Sequence, residues 1–101
     1  MNVLYYECHI TVEPVFEERL ELFTKLCAKY YFKPAKLLMK KRKEDTAERS
    51  QYDTFCTGRS QWGENLQTDM HLLVKDLTDN GFKVWRYKIE ACILDVRLKE
   101  I

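Results

Sequence analysis

The sequence predicts an α+β domain on three observations. Some segments alternate apolar and polar residues, others space apolar residues three and four apart, and they succeed one another in the order βαββαβ. Residues 3–12 (VLYYECHITV) are β-branched and aromatic, with Tyr6, Cys8, Ile10 and Val12 on one side and Tyr5, Glu7, His9 and Thr11 on the other. That is a strand with one polar face. Pro14 then sits where a first helical turn tolerates proline, and Phe16, Leu20, Phe23, Cys27 and Tyr30 or Tyr31 follow at helical spacing, predicting a helix over 15–31. Pro34 forbids its continuation. In the second strand, 35–42, Ala35, Leu37 and Met39 alternate with Lys36, Leu38 and Lys40, and the basic end runs into an exposed hairpin loop over 43–51 (KEDTAERSQ).

A short third strand is expected over 52–57, followed by a turn at Thr57-Gly58-Arg59-Ser60 with Ser60 as helix N-cap. Leu66, Met70, Leu73, Val74 and Leu77 place a second helix over 61–80, which Asn80 and Gly81 end as a left-handed C-cap requires. A long fourth strand, 82–96 (FKVWRYKIEACILDV), closes the domain. The natural arrangement is a four-stranded antiparallel sheet in spatial order 4-1-3-2 with two helices on one face, a ferredoxin-like architecture. Its core is expected to join Leu20, Phe23, Leu66, Met70, Leu73 and Leu77 to Ile10, Leu37, Trp85 and Ile89.

The chain of 101 residues is one domain, and at 46% hydrophobic residues it can bury roughly two-thirds of its unfolded surface. Three Gly and two Pro exclude collagen-like and linker-rich classes, and no apolar run approaches the ~20 residues of a membrane helix. The N-terminus, MNVLYYECHI, lacks the basic and apolar regions of a secretory signal, so the cytoplasm is the expected compartment. Cys8, Cys27, Cys56 and Cys92 match neither a C-x-x-C pair nor a zinc-knuckle spacing. Four reduced, mostly buried thiols are expected, with neither a metal nor a cofactor. Residues 33–43 (KPAKLLMKKRK) hold six basic residues and no acidic one, a stripe suited to phosphate or to keeping an edge strand soluble.

With helices on one face of the sheet, the other face is open. Parity puts Glu7, His9 and Thr11 of the first strand there, beside Arg86, Lys88 and Glu90 of the fourth, provided Trp85, Tyr87 and Ile89 face the helices; Lys36, Lys40 and Arg42 come from the second. Isolated ion pairs on an exposed sheet are worth less than ~1 kcal/mol, so this density of charge is better explained by binding than by stability. A purely structural role would pair His9 with Glu7 or Glu90. Arg59, in the Thr57-Gly58-Arg59-Ser60 turn ahead of a helix, is a further candidate anion ligand. Tyr5 and Tyr52 suit stacking on bases, but 52–59 lack the basic-aromatic signature of an RNA-recognition sheet, which leaves nucleic acid a minor alternative.

His9-Ile10-Thr11 resembles one H-x-T element of the 2H phosphoesterases. Two residues apart on a strand, an imidazole and a hydroxyl point the same way, so one can move a proton while the other holds a phosphate oxygen. The resemblance implies His9 and Thr11 as catalytic residues in phosphodiester cleavage. That family uses two such elements; His71 is followed by Leu72 and Leu73 and lacks the motif, so a homodimer joining two His9 is expected. The overall pattern, from YYECHITVEP through DTFCTG to GFKVWRYKIEACILDVR, resembles small proteins of bacteria and their phages. The expected function is binding of a phosphorylated small molecule, a nucleotide, on the open face, with Arg86, Lys88, Lys40, Arg42 and Arg59 as ligand-binding residues. The alternative is a non-catalytic protein-interaction or inhibitor module.

Overall fold

The computed structural model describes residues 3–34 and 54–93. Their elements are β1 (Tyr5–Val12), α1 (Glu17–Lys29), β2 (Lys33–Pro34), β3 (Thr54–Ser60), α2 (Gly63–Asp79) and β4 (Val84–Cys92). The class is α+β, with a four-stranded sheet in the order β2-β3-β1-β4 whose pairings are all antiparallel. Among the described residues β2 comprises Lys33 and Pro34, paired with Thr57 and Cys56 of β3. The strand expected over 35–42 and the loop over 43–51 lie outside the described residues, as does Leu37.

The side chains of β1 divide as their alternation dictates. Cys8, Ile10 and Val12 are buried, together with Cys56 of β3, Phe23 and Cys27 of α1, and Leu66, Met70, Leu73 and Leu77 of α2. α2 packs on β1, β3 and β4, whereas α1 packs on β2 and α2. Leu20 and Ile89 are only partly buried against this core. Trp85 departs from expectation and is 45% exposed. The pairing of β4 with β1 slips between Thr11, opposite Arg86, and Val12, opposite Val84, so Trp85 is the extra residue of a bulge on an edge strand and stays partly exposed.

β3 runs further than its local sequence suggests. Thr57 to Ser60, expected as a turn, continue the strand, because Gly58 lies opposite Cys8 and its missing side chain leaves room for the buried Phe32 ring. A Cβ there would stand 2.7 to 2.9 Å from three ring carbons. The glycine answers a close approach, not a turn. Ser60 is accordingly not the cap of α2: Trp62 holds that position without a side-chain cap, and the Trp62 N–H donates to Ser60 Oγ at 3.0 Å. The one buried polar side chain among the described residues, Thr54, is satisfied by the Val15 N–H at 2.9 Å, which ties the start of α1 to β3.

All four cysteines are free, and three are buried. Burial pushes the Cys8 thiol up to about 12, and a hydrogen bond with Cys27 together with burial pushes Cys56 up as well. Protonated at neutral pH, Cys8 and Cys56 pack as small apolar groups.

The helices are joined at both ends of α1. The Arg19 guanidinium donates to the Gly81 carbonyl at 3.2 Å and to that of Asn80, and lies 4.0 Å above the Phe82 ring. Asp76 accepts from the Tyr30 hydroxyl at 2.6 Å and from Lys29 Nζ at 3.1 Å, and these bonds, Tyr30 first, hold its carboxyl below the usual carboxylate range. A depressed folded-state pKa contributes stability above the unfolded value of ~4 and loses it as pH falls through the folded value. The melting temperature is therefore expected to drop on acidification below about pH 4. Asp76→Asn should flatten that segment of the profile, and an unchanged slope in the variant would rule the contact out as its source.

Candidate functional site

The strand register assembles the open face in rows. Glu7, His9 and Thr11 of β1 stand opposite Arg59, Thr57 and Phe55 of β3 and opposite Glu90, Lys88 and Arg86 of β4. Thr57 in turn faces Lys33 of β2, so one row crosses all four strands as Lys33, Thr57, His9 and Lys88. The outward parity expected for Glu7, His9, Thr11, Arg86, Lys88 and Glu90 is the parity found.

His9 is held at both ring nitrogens. Its Nε2 lies 2.8 Å from Glu7 Oε1 and its Nδ1 3.2 Å from Thr57 Oγ1. A carboxylate only accepts, so Nε2 carries a proton; in the ring's neutral form Nδ1 presents a lone pair to which the Thr57 hydroxyl can donate. The other Glu7 oxygen accepts from Arg59 Nε at 2.6 Å, which leaves the carboxylate only 17% exposed against 59% for the arginine. Glu7 thus serves as orienting group for both an imidazole and a guanidinium. The contact to Glu7 is the structural pairing that the sequence allows. Thr57 adds to it a hydroxyl whose proton the ring can take.

A depression of about 540 Å³ opens over this cluster, lined by Glu7, His9, Tyr31, Lys33, Thr57 and Arg59. Among the expected site residues, His9 and Arg59 belong to it. Arg59 does so from the face of a strand, however, and not from a helix-entry turn. Thr11 shares the sheet face but lies a row away, beside Phe55 and Arg86, and the hydroxyl that meets His9 is Thr57. Arg86 and Lys88 stand on the β4 side, outside the depression; Lys88 is engaged with Glu90 at 2.5 Å, which lowers the Glu90 carboxyl. Lys40 and Arg42, like Lys36 and Tyr52, lie outside the described residues. His71 of α2 packs edge-on against Tyr87, 6.0 Å between centroids, on the helix side of the sheet, so one chain does not bring its two histidines together.

Tyr31 escapes a reading of the sequence alone, while Lys33 enters it only as one member of a basic stripe and Thr57 only as part of a turn. For Thr57 a signal exists: Thr54, Cys56 and Gly58 are the inward positions of β3, and that parity turns Phe55, Thr57 and Arg59 outward. Among the described residues no group of three or more His, Cys, Asp or Glu side chains is placed to hold a metal ion, and no helix is long and apolar enough to cross a membrane. Comparison with protein-family models, curated proteins and solved structures finds no match for this chain.

Proposed function

We propose that the depression on the open sheet face binds a phosphorylated small molecule, within a cytoplasmic, ferredoxin-like domain. The observation that carries this reading is the clustering of Arg59, Lys33 and a doubly held His9 around one cavity. Phosphate oxygens call for charge-assisted donors on a surface that needs no rearrangement, and Arg59 is already oriented by Glu7. The basic sequence that follows Lys33 adds positive charge close by along the chain.

Where the ligand is a phosphodiester, the same groups support its cleavage. Thr57 Oγ attacks phosphorus as its proton passes to His9 Nδ1, the P–O bond to the leaving alcohol breaks, and Nδ1 returns the proton to that alcohol. Water then attacks the Thr57 phosphoester, giving its proton to Nδ1, and as the bond from phosphorus to Thr57 Oγ breaks Nδ1 passes that proton to Oγ, releasing the phosphoryl product with the threonine hydroxyl restored. Glu7 keeps the ring in the required tautomer throughout.

A thermal-shift titration with inorganic phosphate and ribose 5-phosphate tests binding. A ligand at 100 times its Kd adds ~2.7 kcal/mol of apparent stability. Lys33→Ala is expected to reduce the shift, and no shift with either compound would overturn the reading.

A second reading concerns assembly, and the nine residues of β4 favour it. This is an edge strand, with Trp85 and Tyr87 each close to half exposed. We propose that two copies pair through it: antiparallel pairing centred on Ile89 sets Lys88 of each copy against Glu90 of the other and covers the unpaired backbone groups. Sedimentation is expected to give twice 12.2 kDa, reverting to monomer for Trp85→Lys. Native protein that stays monomeric at high micromolar concentration would remove the dimer.

A further inference from the structure

The two helices end in the same hydrogen-bonded turn, with different residues at its left-handed position. At the end of α2 the Gly81 N–H donates to the Thr78 carbonyl at 3.0 Å and the Phe82 N–H to that of Leu77 at 2.9 Å. At the end of α1 the Tyr31 N–H donates to Ala28 at 3.1 Å and the Phe32 N–H to Cys27 at 2.9 Å. In both cases the phenylalanine that follows is buried, so the motif and its apolar anchor are the same. The left-handed position between them is Gly81, with φ +84°, in one helix and Tyr31, with φ +63°, in the other.

Glycine takes that conformation freely, whereas a side chain with a Cβ is strained there. Packing does not compensate Tyr31 for the strain: its side chain is the most open of the large apolar ones described, at 88% exposed, and its hydroxyl has no hydrogen-bond partner among the described residues. It does line the depression, two residues before Lys33. Strain held at an exposed residue beside a site is a reason to look for a ligand contact.

We infer that the phosphorylated ligand carries an aromatic base, a nucleotide in chemical class, and that Tyr31 is the platform on which the base stacks while Arg59 and Lys33 hold the phosphate. The inference rests on the phosphate reading above and adds the base to it. A left-handed residue at the end of a helix projects its ring away from the helix surface, which leaves a ring face open to an incoming base. Stacking of this kind tolerates any base, because each has a π-face, and removing the aromatic partner weakens binding about 5- to 150-fold.

The test compares the four ribonucleoside 5′-monophosphates with ribose 5-phosphate by calorimetry, using native protein, Tyr31→Phe and Tyr31→Gly. At least one nucleotide is expected to bind native protein and Tyr31→Phe more tightly than ribose 5-phosphate does. Tyr31→Gly is expected to bring that nucleotide down to the level of ribose 5-phosphate and to melt no lower than native protein. Nucleotides and ribose 5-phosphate binding equally, with Tyr31→Gly changing neither, would overturn the stacking inference and leave the phosphate reading standing. Binding of neither would overturn both. A large fall in melting temperature for Tyr31→Gly would show instead that the residue is held for stability.

Discussion

Replacing Phe23 by alanine is expected to destabilise the protein by about 3 to 5 kcal/mol, the range for emptying a fully buried aromatic site. The ring has no exposed surface, meets Phe82 edge-on at 5.6 Å between centroids, and belongs to the cluster that joins α1 and α2 to the sheet. Its removal forfeits the transfer free energy of the ring and leaves a void that the surrounding side chains fill only in part. A domain of this size has a net stability of only about 5 to 15 kcal/mol, so the loss is a large fraction of the total. Urea denaturation should show the midpoint falling with little change in slope, since the surface exposed on unfolding is nearly the same. Leu22→Ala, one residue earlier and on the exposed side of α1, should stay within about 0.5 kcal/mol. Equal effects at the two positions would mean that α1 does not present the face described.

Under the phosphodiester cleavage proposed above, His9→Ala is expected to lower kcat/KM for bis(p-nitrophenyl) phosphate by about 10²- to 10⁴-fold, the usual contribution of a positioned proton-transfer group. Thr57→Val should lose activity comparably, because it removes the hydroxyl that stands 3.2 Å from Nδ1. Thr11→Val should not, since Thr11 lies a row away beside Arg86. Glu7→Gln is expected to fall between these, as the amide no longer demands the proton on Nε2 and the fixed tautomer is lost. Native-like melting temperatures for His9→Ala and Thr57→Val would separate chemistry from folding. Loss of activity in Thr11→Val with full activity in Thr57→Val would reverse the assignment of the hydroxyl and restore the H-x-T pairing.

The amino-acid sequence by itself determined which side of β1 meets the core and which side meets solvent. It also determined the buried line Leu66, Met70, Leu73 and Leu77 of α2, and the glycine stop after that helix. Each is a periodicity or a cap carried within one element, written by residues two, three or four apart, and so legible locally. Three features were decided only in the tertiary structure. Gly58 reads locally as a turn, and its place inside β3 follows from the Phe32 ring, which arrives from a distant segment to fill the space of a Cβ. Trp85 has the parity of a core residue, but a bulge against β1 and an edge position leave it in solvent. The hydroxyl that meets His9 is that of Thr57, because the pairing of β1 with β3 sets residues 48 positions apart side by side. Register between strands depends on how the whole sheet and its helices pack, and one slip by a single residue would turn Thr57 and Arg59 to the opposite face. The composition of the candidate site is therefore a long-range property of the fold, even though His9 and its outward direction were visible in ten residues of sequence.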